Sequence, residues 1–574
     1  MKINNLYKIR HSLAHILASA TQNLFPGARL GTGPAIENGF YYDIDSKHRF
    51  SEEDFKKIEK EMRYLIKQNL PFKKQEMTIE DSKKLFKKRL EPYKIELIEK
   101  FSKAGNKKLS IYTTGKFVDL CEGNHIKNTK EINIDAFKLT HIAGTYWQGN
   151  ENNPQLQRIY ALAFETKNEL KEYQKLLEEA KKRDHKILGP RLDLFFFHET
   201  APGIPYWLPK GVTIMNTLID FWRKEHQKKG YHEISSPLIN KKELWERSGH
   251  WKHYKEDMFI VDIGENETYG IKPMNCPNSM IVFESKLRSY RDLPLRFSDT
   301  DILHRYERSG TLNGLLRARS FRQDDSHNFV TEDQIEKEYE NIFEIAKEFY
   351  DKFNLKFKYR LGTRPNKFMG DIATWDKAEK SLKNILTKTA GKNGFHIEEG
   401  DGAFYGPKID IIMKDSLNRE WQMGTIQLDF QIPKNFNLKY IDKNGKQKTP
   451  IVIHRVIYGS LERFIGILIE HFEGAFPFFI APTQIQILPI SEKFNLYAEK
   501  IIKKLQEKNF RVEINEQEET LGKKIRQGEM QKIPYLIIVG EKEQKNNTIN
   551  VRSRDNNSQK EMKLDEFLNL LQIN

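Results

Sequence analysis

Cysteine is nearly absent. The 574 residues hold two, Cys121 and Cys276, so no disulfide framework braces the chain and each thiol has to be read on its own. Long apolar runs are missing as well. The stretch 476–482 is far too short to span a bilayer, and the N-terminus has no apolar signal region, so neither export nor a membrane anchor is expected and the expected location is the cytoplasm. Internal repeats and low-complexity tracts are also lacking, which leaves domain boundaries to punctuation and changes of pattern. Acidic charge is in deficit. Against 95 Lys and Arg stand 80 Asp and Glu, a formal +15, which suits a polyanionic partner such as nucleic acid as well as it suits a merely lysine-rich composition.

What remains is a chain with 38% apolar and 11% aromatic residues, too long for one core, so three or four domains are expected. Thr166 with Glu169 forms a capping box, and Leu170, Tyr173 and Leu177 follow at helical spacing until Gly189-Pro190. This predicts a linker helix over 166–190 that separates an N-terminal domain, 1–165, from the rest. A second break at 477–482 precedes a β-rich segment, 485–490, and an amphipathic helix, 496–508, predicting a small α/β domain over 481–574. Between them, 191–480 mixes strands and helices irregularly, which favours an α+β domain.

Two groups of residues carry chemistry. In the first, a helix over 10–24 has its apolar stripe at Leu13, Leu17, Ala20 and Leu24, and sets His11 and His15 one turn apart on another face. Cys121 and His125 repeat the four-residue step, after Asp119. Two such pairs make either a four-ligand zinc set or a hydrolytic pocket around a water. In the second group, Arg305 and Glu307 are followed by the run from Arg317 to His327. On a strand its odd positions, Arg317, Arg319, Phe321, Gln323, Asp325 and His327, share a face, with Ala318 and Ser320 opposite. Packing does not explain a face so rich in charge; phosphate-binding guanidiniums beside a ring able to stack on a purine do. Arg463 near the start of an apolar helix and Lys408 after a glycine-bearing loop belong with this face.

These segments resemble the signature motifs of class II aminoacyl-tRNA synthetases, and the resemblance to threonyl-tRNA synthetases in particular extends from His11 to Arg552. It rests on His11-Ser-Leu-Ala-His15, Cys121 to His125, Ile271-Lys-Pro-Met-Asn-Cys276-Pro, Gln323-Asp-Asp325-Ser-His327 and Ile453-His454-Arg. The resemblance implies an α+β multidomain protein: an α+β editing domain, a class II catalytic core on an antiparallel sheet, and an α/β anticodon-binding domain. It implies ATP-dependent charging of tRNA(Thr) with L-threonine and hydrolysis of Ser-tRNA(Thr), by a homodimer whose first class II motif is 230–237. Zn2+, one per subunit, falls to Cys276, His327 and His454, and Mg2+ accompanies ATP. The ATP contacts are Arg305, Glu307, Arg317, Phe321, Gln422, Ser460 and Arg463; Met274, Gln323, Asp325, Tyr405 and Gln427 line the threonine site. Arg305, Arg463, Lys408 and His250 are the expected catalytic residues. Editing falls to His11, His15, Lys94, Asp119, Cys121 and His125, which in the family are not zinc ligands, and anticodon contacts to Glu543 and Arg552. Several positions depart from the family pattern: Glu122, Asn124, Asn278, Ser279 and Met423. The ubiquitin-like domain that opens many relatives is expected to be absent.

Overall fold

A computed structural model of the chain describes residues 5–264, 267–391, 393–556 and 558–573. The chain divides into two compact units, residues 1–179 and 180–574.

In the first unit, helix α1 (Asn5–Leu24) buries Leu13, Leu17 and Ala20. It packs on strand β1 (Gly39–Asp45), whose alternation turns Phe40, Tyr42 and Ile44 into the same core. Helix α2 (Pro92–Lys103) begins on a proline, which has no N–H to leave unpaired at that position. Strand β2 (Phe117–Leu120) ends a small three-stranded antiparallel sheet. Strands β3 (Phe137–Tyr146) and β4 (Gln155–Ala163) complete the five-stranded antiparallel sheet that contains β1. The unit is thus α+β, and β2 delivers Asp119 and the following Cys121 toward α1.

The boundary between the units falls within helix α3 (Lys167–Arg183). Its capping box forms: Thr166 N donates to Glu169 Oε2 at 3.1 Å and Glu169 N to Thr166 Oγ1 at 3.2 Å. The stop expected at Gly189-Pro190 does not occur there. The chain breaks at Asp184, whose side chain accepts from Lys186 N at 2.8 Å and caps a new helix, α4 (His185–Arg191). Pro190 sits in the last turn of α4, where it interrupts little.

After α4 the second unit continues with β-hairpin 195–207 and helix α5 (Pro209–Lys228). Helix α6 (Cys276–Glu284) follows. A nine-stranded sheet then runs through β5 (Leu295–Asp299), β6 (Ser320–Val330), β7 (Lys408–Lys414), β8 (Glu420–Asp429) and β9 (Ile451–Ser460). It is antiparallel apart from its two edge strands. Strand β9 leads straight into helix α7 (Leu461–His471), where Ser460 Oγ caps Arg463 N at 3.2 Å. A mixed five-stranded sheet finishes the chain with β10 (Ile485–Pro489), β11 (Tyr535–Val539) and β12 (Ile549–Ser553), flanked by helices that include α8 (Leu521–Met530). No helix among the described residues is long and apolar enough to cross a membrane.

Candidate active sites

The first site lies within the N-terminal unit. His11 and His15 come off α1 with ring centroids 5.4 Å apart, and the ring of His125 stands 4.3 Å from each. Cys121 Sγ lies 3.3 Å from His11 Nε2 and 3.4 Å from His125 Nε2. Ser12 Oγ is 3.1 Å from His125 Nδ1 and accepts from Ile126 N, so α1 also orients the third imidazole. Gly123 is required here, since a Cβ on it would fall 1.9 Å from the His11 ring. Beneath the imidazoles, Asp119 Oδ2 lies 3.5 Å from His15 Nε2. Lys94 Nζ is 2.5 Å from Asp119 Oδ1 and donates to Tyr42 Oη at 3.1 Å, and Tyr42 Oη donates to Asp119 Oδ2 at 2.5 Å.

Burial sets the protonation states. It lowers the pKa of His11 and His125 and holds that of His15 well below the usual imidazole range, so all three are neutral and able to accept a proton. Burial, reinforced by Asp119, pushes the Cys121 thiol up to about 12. A thiol so protonated is a hydrogen-bonding neighbour rather than a nucleophile. The ligand atoms of His11, His15, Cys121 and His125 lie within 4.8 Å of one another, so geometry alone leaves both the metal and the water readings open.

The second site is a cavity of about 410 Å³ in the C-terminal unit. Its walls bring together segments far apart in sequence. The expected ATP contacts Arg305, Glu307, Arg317, Phe321, Gln422, Ser460 and Arg463 line it together with Met274, Gln323, Asp325, Tyr405 and Gln427. Cys276, His327 and His454 line it as well. The alternation expected of the central run holds from Phe321 to His327 within β6. It fails before it, because the strand begins at Ser320 and Arg317 to Arg319 form an irregular approach. Arg319 therefore turns away, donating to the carbonyls of Glu307 and Pro202, and Ala318 reaches the cavity in its stead. The same alternation sets Asp324 on the opposite side, where it accepts from Ile457 N and Gly459 N and pins β9 at the register shift between the two strands.

The cavity is built for anions. Arg305 stacks 5.1 Å from the Phe321 ring and donates to the Pro273 carbonyl at 3.2 Å. Arg463 donates to the Leu316 carbonyl at 2.9 Å; burial first, then Arg305 and Arg317, lower its pKa. Guanidiniums that repel one another in a partly desolvated pocket are relieved by phosphate. Arg317 is paired with Glu307 at 2.8 Å. Asn275, which sequence reasoning missed, donates to both Asp299 and Asp325 and so fixes the Asp325 carboxylate. Tyr405 donates to Gln427.

The Cys276, His327 and His454 ligand atoms are buried and within 4.8 Å of one another. His327 Nδ1 is buried with no hydrogen-bond partner, while His454 Nε2 is 2.9 Å from Asp429 Oδ2. A carboxylate on one imidazole nitrogen, an orphaned nitrogen on another ring and a thiol make a donor set that fits a zinc ion with an open position.

Two of the expected catalytic residues, Lys408 and His250, lie off the cavity wall. Lys408 is absent from the cavity wall, since its Nζ sits 3.1 Å from both Asp401 and Asp410. His250 is fully buried behind the cavity, with Nδ1 2.8 Å from Ser248 Oγ and Nε2 3.8 Å from Cys276 Sγ. In the last domain, Glu543 is buried and accepts from Gly540 N at 3.0 Å, capping the helix it sits on. Arg552, on β12, reaches Glu529 at 2.6 Å.

Family comparisons agree with this layout. Residues 259–472 match the tRNA synthetase class II core domain (G, H, P, S and T), 484–574 the anticodon binding domain, and 109–160 the threonyl and alanyl tRNA synthetase second additional domain. The threonine–tRNA ligase of Caldanaerobacter subterraneus subsp. tengcongensis is 49% identical over 558 residues, spanning 97% of this chain and 86% of its own. The chain belongs to the threonyl-tRNA synthetase family. The Thermotoga maritima threonine–tRNA ligase is likewise 49% identical, over 98% of this chain and 87% of its own. Among solved structures, the RNA binding domain of threonyl-tRNA synthetase from Cryptosporidium parvum superposes with a TM-score of 0.66 at 41% identity, covering 68% of this chain and 98% of that one. The expected architecture of editing domain, class II core and anticodon-binding domain is therefore the architecture of this family member.

Proposed function

We propose that this family member activates L-threonine with ATP and Mg2+, transfers it to tRNA(Thr), and hydrolyses Ser-tRNA(Thr) in its N-terminal unit. The observation that carries the reading is the convergence, in one cavity, of Arg305, Arg317 and Arg463 with Cys276, His327 and His454. In the activation step the threonine carboxylate attacks the α-phosphorus and pyrophosphate leaves. Arg305 bears the charge that grows on the α-phosphate, while Arg317 and Arg463 hold the outer phosphates and Phe321 stacks on adenine. Cys276, His327 and His454 would hold zinc, which supplies an open coordination position for the threonine amino group and hydroxyl. Asp325 accepts from that hydroxyl. Valine lacks it and is rejected, because a site built around a polar group leaves that group unpaired with the wrong substrate.

Serine keeps the hydroxyl and lacks one methyl, a difference worth only about 1–3 kcal/mol. Hydrolysis at a second site is the physical remedy. The neutral imidazoles of His11, His15 and His125 take the proton of a water that attacks the ester carbonyl, and Lys94 balances the charge that develops. The homodimer is assigned to the segment 230–237, whose strand forms an edge of the large sheet. The deciding experiment is pyrophosphate exchange with threonine, serine and valine: threonine should support it strongly, serine weakly and valine least. Exchange driven better by any other amino acid overturns the assignment.

A further inference from the structure

Away from both pockets, a groove of about 580 Å³ lies between α4 and α8 in the C-terminal unit. Five cations line it: Lys181 and Lys182 in the last turn of α3, Arg191 at the end of α4, Arg526 on α8, and Lys532 just beyond. Lys181, Arg191 and Arg526 are exposed and Lys532 half-buried. Among the described residues, none of the four has a carboxylate within ion-pair distance. The groove's own carboxylates are turned to other partners, Glu529 to Arg552 at 2.6 Å and Glu473 to Arg183 at 4.0 Å. A concave wall with uncompensated positive charge raises the local concentration of anions and is relieved when one binds.

Two further features say what kind of anion. Ile187 is 58% exposed and Met530 46% exposed on the same walls, which suits a ligand with apolar faces between its charges rather than a free phosphate. Through Glu529 the groove is also continuous with Arg552, where an anticodon contact is expected. We propose that this groove binds a phosphodiester segment of the bound tRNA, with Lys181, Arg191, Arg526 and Lys532 on successive phosphates and Ile187 and Met530 against sugars or bases. The RNA then bridges the linker helices and the anticodon-binding domain. The proposal rests on the reading of the chain as a ligase of tRNA.

The test is binding of a tRNA(Thr) transcript to the full chain over a series of salt concentrations. Lys181→Ala/Arg191→Ala/Arg526→Ala/Lys532→Ala should bind more weakly at low salt, with a slope of log K against log salt shallower by about 2–4, one counterion-release term of roughly 0.7–0.9 per phosphate. Hydroxyl-radical protection of the RNA backbone should be lost over one continuous segment. Pyrophosphate exchange, which needs no RNA, should be unchanged and certifies the fold. Lys380→Ala/Lys383→Ala, at exposed lysines of the helix Ile372–Ala390, should leave slope and footprint as in the wild type. An unchanged slope and footprint in the fourfold variant overturn the groove, as does an equal loss in the control. Failure of the wild type itself to bind the transcript overturns instead the reading on which the groove rests.

Discussion

Lys94 Nζ and Asp119 Oδ1 stand 2.5 Å apart with side chains only 2% and 3% exposed. Each is the other's charge compensation, so removing one strands the other in a medium that solvates it poorly. Lys94→Met should therefore destabilise the N-terminal unit by about 3–5 kcal/mol. Lys94→Met/Asp119→Leu should recover part of the loss, because no bare charge then remains. Hydrogen exchange of the α2 and β2 amides in the full chain reads both. If the double variant is as labile as the single, the pair is not the source of the effect.

Much of this site was legible in advance, and the part that was not has a physical reason. The i, i+4 spacing of His11 with His15 and of Cys121 with His125 reports directly which side chains share a side of a helix or a tight loop, and the rings do meet. Tyr42 gave no signal. It sits at an inward position of β1 between Phe40 and Ile44, where periodicity assigns it to the core, yet its hydroxyl is the third member of the Lys94 and Asp119 network. Asn275 was hidden in the same way beside Cys276. In the large sheet, alternation read Phe321 to His327 well because they lie on a strand, and misread Arg319 because the strand starts after it. Lys408 and Glu543 look available in sequence, but each spends its charge on a partner close by in the chain: Asp401 and Asp410 for the one, Gly540 N for the other.

The lowered pKa values of His11, His15 and His125 have a kinetic consequence. A base that titrated as an ordinary imidazole would lose activity as pH fell through about 6.5. Here burial keeps the neutral, proton-accepting form populated below that. Hydrolysis of preformed Ser-tRNA should hold its rate as pH falls across the usual histidine range. His15→Ala should abolish it while threonine activation is untouched. A rate that falls tenfold per unit below neutrality speaks against the buried imidazoles as the base.

Asp429 accepts from His454 Nε2 at 2.9 Å and, through its other oxygen, from Gln431 N and Ile432 N. Such a carboxylate orients a ligand imidazole and raises its basicity, and losing it typically weakens metal binding by about 10–100-fold. Asp429→Asn should weaken zinc retention by that factor, measured by competition with a chromogenic chelator, and His327→Ala should abolish it. Zinc held equally well by Asp429→Asn would remove the orienting role.

Arg463 is held by the Leu316 carbonyl at the mouth of α7, among Arg305 and Arg317. A preorganised charge of this kind acts on what develops in the transition state rather than on the ground state. Arg463→Ala should slow threonine-dependent pyrophosphate exchange by a factor of about 100 or more, chiefly in kcat. Threonine-site occupancy and zinc content should persist. A loss confined to the KM for ATP would reduce Arg463 to a binding contact.

Glu91 offers a linkage test in the N-terminal unit. Its carboxylate is 5% exposed, accepting from Leu30 N at 2.8 Å and from Gln22 Nε2 at 2.6 Å. Burial raises its pKa from 4.5 to about 7; Leu30 N and Lys94 oppose the rise and Asp119 adds to it. The folded pKa therefore lies above the unfolded one, so between about 4.5 and 7 the folded state binds more protons than the unfolded state. Stability contributed by this group falls as pH rises through that window and is constant above it. Glu91→Gln keeps an oxygen for Leu30 N and does not ionise. Measured against the wild type at the same pH, where the other groups largely cancel, the Gln variant should gain relative stability from pH 4.5 to about 7 and no more beyond. Exchange of the α2 amides again supplies the readout. A difference that stays flat across the window, or that shrinks as pH rises, would mean that Glu91 is ionised throughout and that Lys94 compensates two carboxylates rather than one.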